Sequence, residues 1–369
     1  MATDASSADE RLQFTAEELL ADGDYREPLI ANGVRCHGGF GEDGQYRSPR
    51  TVVRRPAIRA WQAQLARGGA PLIDIPRELM PPQYPNVEQS VLLLREGVRD
   101  PIVRGLTIIS IVEGFGAIIR DVKVPKLGEL VVEPLEGTAL AHLRRGLFEA
   151  HARDEAGHRD QGGHKQMWEA ARDLALENPK IPRDVLMRLM GRRGRRKPAK
   201  RPFPEIDEDL ERMLSTMAQV LVVEVFAEGA FEWGKALLGN AEVSAEPERA
   251  SEMVRFIQSD ESPHVEYLRT ALSEIRARTL RTVHGGTIPG RTVVDALLHR
   301  ILSQMTRNRP AEQREDARKS LSEAIEAASN QKAAKATKAV VEEFESLETS
   351  WTPPAKTGFE PTPAVEGAQ

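Results

Sequence analysis

The chain has 369 residues, 40% of them apolar, with 24 prolines, enough to bury one sizeable core and still carry irregular extensions. A formal net charge of -5, from 51 basic and 56 acidic residues, sets up no field that favours nucleic acid or a membrane surface. The single cysteine, Cys36, excludes an intramolecular disulfide and a multi-cysteine metal site, which suits a reducing cytoplasm; the polar, acidic start from Met1 to Arg11 lacks a signal-peptide pattern.

Residues 1 to 95 carry Gly-Gly, Asp-Gly and repeated proline signals, among them the run Met80-Pro-Pro-Gln-Tyr-Pro85. They predict turns, short hairpins and little long helix, in a segment that wraps the main domain. From about residue 97 the period changes, and Leu106, Ile109, Glu113 and Ala117 describe an apolar helix face with one carboxylate. The apolar run Pro101 to Ile119 is interrupted by Arg104 and Glu113, so it reads as a buried helix and no membrane span is expected. A second long helix is predicted over roughly 138 to 177, with Leu140, Leu143, Leu147, His151, Glu155 and His158 on one stripe.

The basic stretch 191–202 reads as a solvated linker. A third helix follows over about 207 to 238, with Met213, Met217, Leu221, Glu224, Glu228 and Phe231 facing inward. The fourth begins at the start signal Pro247 and carries Met253, Ile257, Glu261, His264, Leu268 and Ile275. The bundle therefore spans 96–283. Auxiliary helices are expected over 284–350, the first built on Val294, Leu297, Leu298, Ile301 and Leu302, and a disordered, proline-rich tail over 351–369.

Each of the four long helices carries ionisable residues in the middle of an otherwise apolar face. Two of them repeat one frame, Asp154-Glu155-Ala-Gly-His158 and Asp260-Glu261-Ser-Pro-His264. Positions i and i+3 of a helix project to one side, so each Glu-x-x-His pair can offer an oxygen and an imidazole nitrogen to one metal. Glu113 and either Glu224 or Glu228 supply the further carboxylates that a binuclear site needs. Four carboxylates buried without cations would carry a prohibitive desolvation cost, which a metal pair resolves. Glu228 lies 33 residues before Glu261 and Glu224 lies 37 before it. Counting turns from the helix end near Gly239 instead sets Glu224 level with Glu261, so both stay open, with Glu228 favoured. His151, one turn before Glu155, reads equally as a pocket residue behind the ligands and as a structural polar residue. Cys36-His37 has no partners at a recognised spacing and reads as an ordinary loop.

At these residues the chain resembles the ferritin-like di-iron carboxylate superfamily, over roughly residues 100 to 275. That superfamily includes ribonucleotide reductase small subunits, bacterial multicomponent monooxygenases, fatty-aldehyde decarbonylases and arylamine N-oxygenases. The resemblance implies an all-α fold, a ferritin-like four-helix bundle. It gives Glu113, Glu155, His158, Glu228, Glu261 and His264 as metal ligands, with Glu224 as the alternative to Glu228, and it makes Asp154 and Asp260 hydrogen-bond partners of ligand imidazoles. Two departures are visible: Gly157 and Pro263 stand where the monooxygenases have arginine, and Pro263, lacking an N–H, requires the fourth helix to bend or restart.

Such a site suits two iron ions, or a manganese and iron pair, with dioxygen as co-substrate. The expected function is an oxygen-activating oxidoreductase that hydroxylates, desaturates or N-oxygenates a small, apolar organic substrate, walled by Ile109, Phe115, Leu147, Leu221 and Phe231. No flavin, nicotinamide or iron-sulfur motif is visible, which implies a ferredoxin or reductase as electron donor. A homodimer is expected by analogy. Two other readings stand beside this one: a ferroxidase or iron-handling protein, and a metal-stabilised helical scaffold without turnover.

Overall fold

The computed structural model describes residues 11–181, 201–308, 314–315, 318–319, 321–325, 334–352 and 354–360. The basic stretch expected to act as a linker lies, but for its last two residues, outside the described residues. The described chain is mostly helical, with two small antiparallel sheets.

After a single turn, α1 (Ala16–Leu19), strands β1 (Glu27–Ala31), β2 (Val34–Phe40) and β3 (Tyr46–Arg47) form a sheet in the order β1-β2-β3. Helix α2 (Arg54–Arg67) is longer than the turn-rich composition of this segment leads one to expect. Its buried Ala57, Ile58, Ala60, Trp61 and Leu65 recur at helical spacing, which outweighs the flanking breakers. Helix α3 (Val87–Arg95) is capped by Asn86.

The bundle begins at α4 (Asp100–Gly116), and after the single turn α5 (Leu127–Leu130) the second rod comes in two pieces, α6 (Phe148–Ala156) and α7 (His164–Leu176). This corrects the expected continuous helix. Gly157 closes α6 with a φ of +84°, a conformation other residues adopt only under strain. Helix α8 (Glu208–Leu238) starts at Asp207, whose side chain accepts from the Leu210 N–H at 3.0 Å. Helix α9 (Pro247–Arg276) runs without a restart through Pro263. The carbonyl that Pro263 leaves without its i+4 donor, on Ser259, accepts from Arg55 Nη2 at 2.8 Å. A short hairpin, β4 (Thr279–Arg281) with β5 (Thr287–Pro289), leads to α10 (Gly290–Ser303), and α11 (Ala334–Ser346) follows. The tail expected to be disordered is packed over its described part: Phe359 is buried, and His299 Nδ1 lies 2.9 Å from Thr357 Oγ1.

The apolar interior falls into two clusters, and every rod passes from one to the other. On α4 and the turn after it, Ile102 to Leu106 belong to one and Ile119 to the other. On α6 and α7 the division lies between Phe148 and Met167, on α8 between Val222 and Phe231, and on α9 between Ile257 and Tyr267. Glu113, His151, Glu155, His164, Glu224, Glu261 and His264 sit in that gap. The α4 segment (Asp100–Asp121) and α8 are long and apolar enough to cross a membrane, with hydropathies of 1.8 and 1.4. Each nonetheless carries buried carboxylates within its length, Glu113 on the first and Glu211 and Glu224 on the second. The α4 face is more open than a buried helix predicts, with Val112, Phe115 and Ile118 between 41% and 51% exposed.

One buried carboxyl outside this layer yields a test. Glu274, on α9, accepts from the backbone N–H groups of Ala139 at 3.0 Å and Leu140 at 3.1 Å, and burial pushes its carboxyl up to about 7. Because the folded value is raised, its contribution is full below the ordinary glutamate range and lost as pH rises through about 7. Relative to Glu274→Gln, wild-type stability should fall between pH 4.5 and pH 8 by up to roughly 3 kcal/mol, at about 1.4 kcal/mol per tenfold change in proton affinity. Parallel urea denaturation curves at the two pH values measure this difference, and equal ΔΔG at both would refute it.

Candidate metal centre

Four carboxylates and three imidazoles converge in the polar gap. Glu113 comes from α4, Glu155 and His151 from α6, His164 from the first position of α7, Glu224 from α8, and Glu261 and His264 from α9. All seven are buried. His151 and Glu155 are four apart, and Glu261 and His264 three apart, so each pair shares a helix face. Gly116 admits Glu155, since a Cβ there would stand 2.6 Å from Glu155 Cγ.

His164 Nδ1 lies 2.7 Å from Glu261 Oε1, 3.4 Å from Glu155 Oε1 and 3.8 Å from Glu113 Oε2. His264 Nδ1 lies 2.7 Å from Glu261 Oε2 and 3.1 Å from Glu155 Oε1. His151 Nε2 lies 3.3 Å from Glu224 Oε1 and 3.7 Å from Glu155 Oε1. Yet Glu155 Oε1, Glu261 Oε1, His151 Nε2 and both ring nitrogens of His164 make no hydrogen bond. Buried polar atoms are almost always paired; here, apart from His164 Nε2 on the Asp260 side, the unpaired atoms face a common space. Two overlapping groups, His151–Glu155–Glu224–His264 and Glu155–His164–Glu261–His264, each gather ligand atoms within 4.8 Å of one another. Each group could hold a metal ion, and carboxylate oxygens with imidazole nitrogens are donors that fit one.

Behind the cluster the two halves of the bundle brace each other. Asp154, of the first half, lies 2.9 Å from His264 Nε2, and Asp260, of the second, lies 3.7 Å from His164 Nε2. Both carboxylates are fully buried and are anchored by the N-terminal segment. Arg54 Nη2 donates to Asp154 Oδ2 at 2.7 Å and Arg50 Nε to Oδ1 at 2.7 Å. Tyr46 donates to Asp260 Oδ2 at 2.7 Å, and His37 Nε2 lies 3.1 Å from the same oxygen. Tyr267 Oη, 3.1 Å from His151 Nδ1, holds the third imidazole from behind.

Without cations the cluster is balanced by protons. Burial, and then the charge of Glu261, pushes Glu113 well above the usual carboxylate range. Burial with the like charges of Glu155 and Glu224 does the same to Glu261, and Glu155 is raised chiefly by burial. At Glu224 burial is outweighed by the adjacent His151 imidazole, and its carboxyl is lowered. His164 resists its burial because Glu261 and Glu155 hold its imidazolium. His264, buried beside His151, is pushed down to about 3. At Asp154 the two guanidiniums overcome burial and keep the carboxyl ionised.

Two cavities meet the cluster from different sides. One, of about 360 Å³, is lined by Val112, Phe115, Ile118, Val220, Val223 and Ala227 and reaches Glu113, Glu155 and Glu224; Thr216 and Gln219 are its uncharged polar groups. The other, of about 570 Å³, is lined by Asp74, Glu78, Glu228 and Glu266 with Arg77 and Arg269, and reaches Glu224 and Glu261.

No family model, curated protein or solved structure matches this chain. The chemistry of the site therefore rests on its geometry.

Of the seven residues expected as ligands or as an alternative ligand, Glu113, Glu155, Glu224, Glu261 and His264 are brought together; His158 and Glu228 are not. His158 sits in the turn after Gly157, where its backbone pairs with Gln161, and its side chain is far less buried than the cluster. The helix break carries the chain away and returns it six residues later with His164. A Cβ on Gly163 would meet the Asp154 carbonyl oxygen at 2.4 Å, so only glycine fits where the two pieces rejoin. Glu228, one turn beyond Glu224, accepts from Gln258 Nε2 at 2.9 Å in the acidic cavity. Of the expected wall, Phe115 lines the apolar cavity and Phe231 the acidic one, while Leu147 and Leu221 lie in the core. His37, read from sequence as a loop residue, is buried on β2 against Asp260.

Proposed function

We propose that the cluster is a dinuclear metal centre of the ferritin-like kind and that the protein is an oxygen-activating oxidoreductase acting on a small, apolar organic molecule. The observation that carries this reading is the convergence of four unpaired, buried ligand atoms, Glu155 Oε1, Glu261 Oε1, His151 Nε2 and His164 Nδ1, in a cluster of four carboxylates and three imidazoles. When bound there, a pair of iron ions supplies the reduction of dioxygen and the oxidation of a C–H or N–H bond.

The chain's own groups do the rest. His164 and His264 present Nδ1 to the centre, and Asp260 and Asp154 orient them from behind. Glu155 and His264 are common to both ligand groups, and Glu155, with two oxygens, would be shared by the two cations. The 360 Å³ cavity brings an apolar molecule to the edge of Glu113, Glu155 and Glu224, where Gln219 and Thr216 can hold a polar substituent. Its aliphatic and aromatic walls keep water from the reacting groups. Electrons for repeated turnover come from a separate ferredoxin or reductase.

The acidic cavity favours a second reading, a ferroxidase, because Asp74, Glu78, Glu228 and Glu266 line a path for cations to Glu224 and Glu261. One experiment separates the two: the metal-free protein is loaded anaerobically with two equivalents of Fe(II), mixed with oxygenated buffer, and followed by oxygen electrode and near-ultraviolet absorption. The oxidoreductase reading expects oxygen uptake with an oxidised di-iron absorption, and further uptake when a chemical reductant and an apolar amine or hydrocarbon are added. Uptake that stops after one oxidation of the added iron, with every reductant and substrate, supports the ferroxidase. Tight metal binding with no oxygen uptake leaves a metal-stabilised scaffold.

A further inference from the structure

The two sides of the cluster are backed by opposite charges. Asp154, behind His264, is gripped by the guanidiniums of Arg50 and Arg54, both fully or nearly fully buried. Its negative charge is more than cancelled. Asp260, behind His164, receives only neutral donors: Tyr46 Oη at 2.7 Å, His37 Nε2 at 3.1 Å and Ser259 Oγ at 3.4 Å. Arg50 Nη2 lies 3.3 Å from His37 Nδ1; the guanidinium donates there, which leaves the His37 Nε2–H for Asp260. The Asp260 charge stays whole.

The ligand atoms are divided in the same sense. His264 belongs to both ligand groups, and its stacking against His151 at 3.9 Å and 13° pairs it with His151, leaving His164 to the other ion. The His164 side then has Glu113 as its own carboxylate and the His151 and His264 side has Glu224, while Glu155 is shared, as is Glu261, whose two oxygens lie 2.7 Å from His164 Nδ1 and 2.7 Å from His264 Nδ1. One side is oxygen-rich with an uncancelled carboxylate behind it, and the other is nitrogen-rich with two arginines behind it.

Building on the metal-centre reading, we propose that the two cation positions are unequal by design and that the position on His164, Glu261 and Glu113 fills first. In a buried site an uncancelled charge one residue behind a ligand acts through little screening. Asp260 lies 3.7 Å from His164 Nε2, so it acts on that position through its charge. The oxygen-rich position takes the harder or more highly charged ion of a mixed pair, and the nitrogen-rich position the softer one.

The test is a titration of the metal-free protein with Co(II) against a chelator of known affinity, read by the d–d absorption, with anomalous diffraction from crystals holding one equivalent. Two steps separated by about 100-fold or more in Kd are expected, with the first equivalent on His164. Asp260→Asn should weaken the first step by roughly 10- to 100-fold and leave the second within about threefold. His151→Gln should weaken only the second. A single step, a first equivalent on the His264 side, or equal weakening of both steps by Asp260→Asn overturns the inequality while leaving the metal centre intact. Failure of wild-type protein to bind any Co(II) overturns the centre itself, and the inequality with it.

Discussion

His164→Ala is expected to abolish tight binding of one metal ion per chain, while His158→Ala keeps both. The two histidines stand six residues apart, and helical spacing from Glu155 points to the first. The structure points to the second: His164 is fully buried with Nδ1 2.7 Å from Glu261 Oε1, whereas His158 lies in a turn outside the cluster. Losing an imidazole ligand removes a bond that no neighbour replaces, because the other donors already face the same space. A loss of about 100-fold or more in affinity is expected, beyond what outer groups around a metal contribute. Elemental analysis after dialysis against a weak chelator decides it. Two metals retained in His164→Ala, or lost in His158→Ala, would return the assignment to the simple helical frame.

Asp154→Ala should be the most damaging single change to the metal-free fold, costing about 3–5 kcal/mol. Asp154 is fully buried and is the shared anion for Arg50, Arg54 and His264. Arg54 has no exposed surface, and its Nε and Nη1 already make no hydrogen bond, so removing the carboxylate strands a buried cation. Asp154→Asn, which keeps one acceptor oxygen, should cost less. The aspartate's contribution is present throughout the ordinary working range, since its folded value is depressed, and is lost only as pH falls below the unfolded aspartate range toward that lowered value. Guanidinium denaturation of chelator-treated protein at neutral pH measures the loss, and a change below about 1 kcal/mol would show that the arginines find other partners or solvent.

The rods and their polar middles were legible because both are local patterns. Apolar period 3.6 locates α4, α8 and α9, and Glu113, Glu155 and Glu261 stand out as charges on apolar faces. The Glu224 and Glu228 ambiguity is intrinsic to a helix, where residues four apart share a face, and only the register against α9 and His151 separates them. His164 was harder to see because the motif is split between two helices. A signal existed in Gly157 and Gly162-Gly163, a helix stop and a glycine pair immediately before a histidine. His37, Tyr46, Arg50 and Arg54 could not be read locally. They meet Asp154 and Asp260 across 100 to 223 positions of sequence, and such pairings leave no trace in periodicity or composition.

The division of the apolar interior by a polar layer bears on how the protein melts. Cooperativity requires that loosening one region remove contacts from the next, and apolar packing ordinarily carries that message along a bundle. Here it is interrupted on every rod at the same level, and ligand side chains bridge the two clusters. A cation pair pulling on α4, α6, α7, α8 and α9 at once would act as the keystone between two arches. Metal loading then governs whether the two ends unfold as one body or in turn, as well as how stable the whole is.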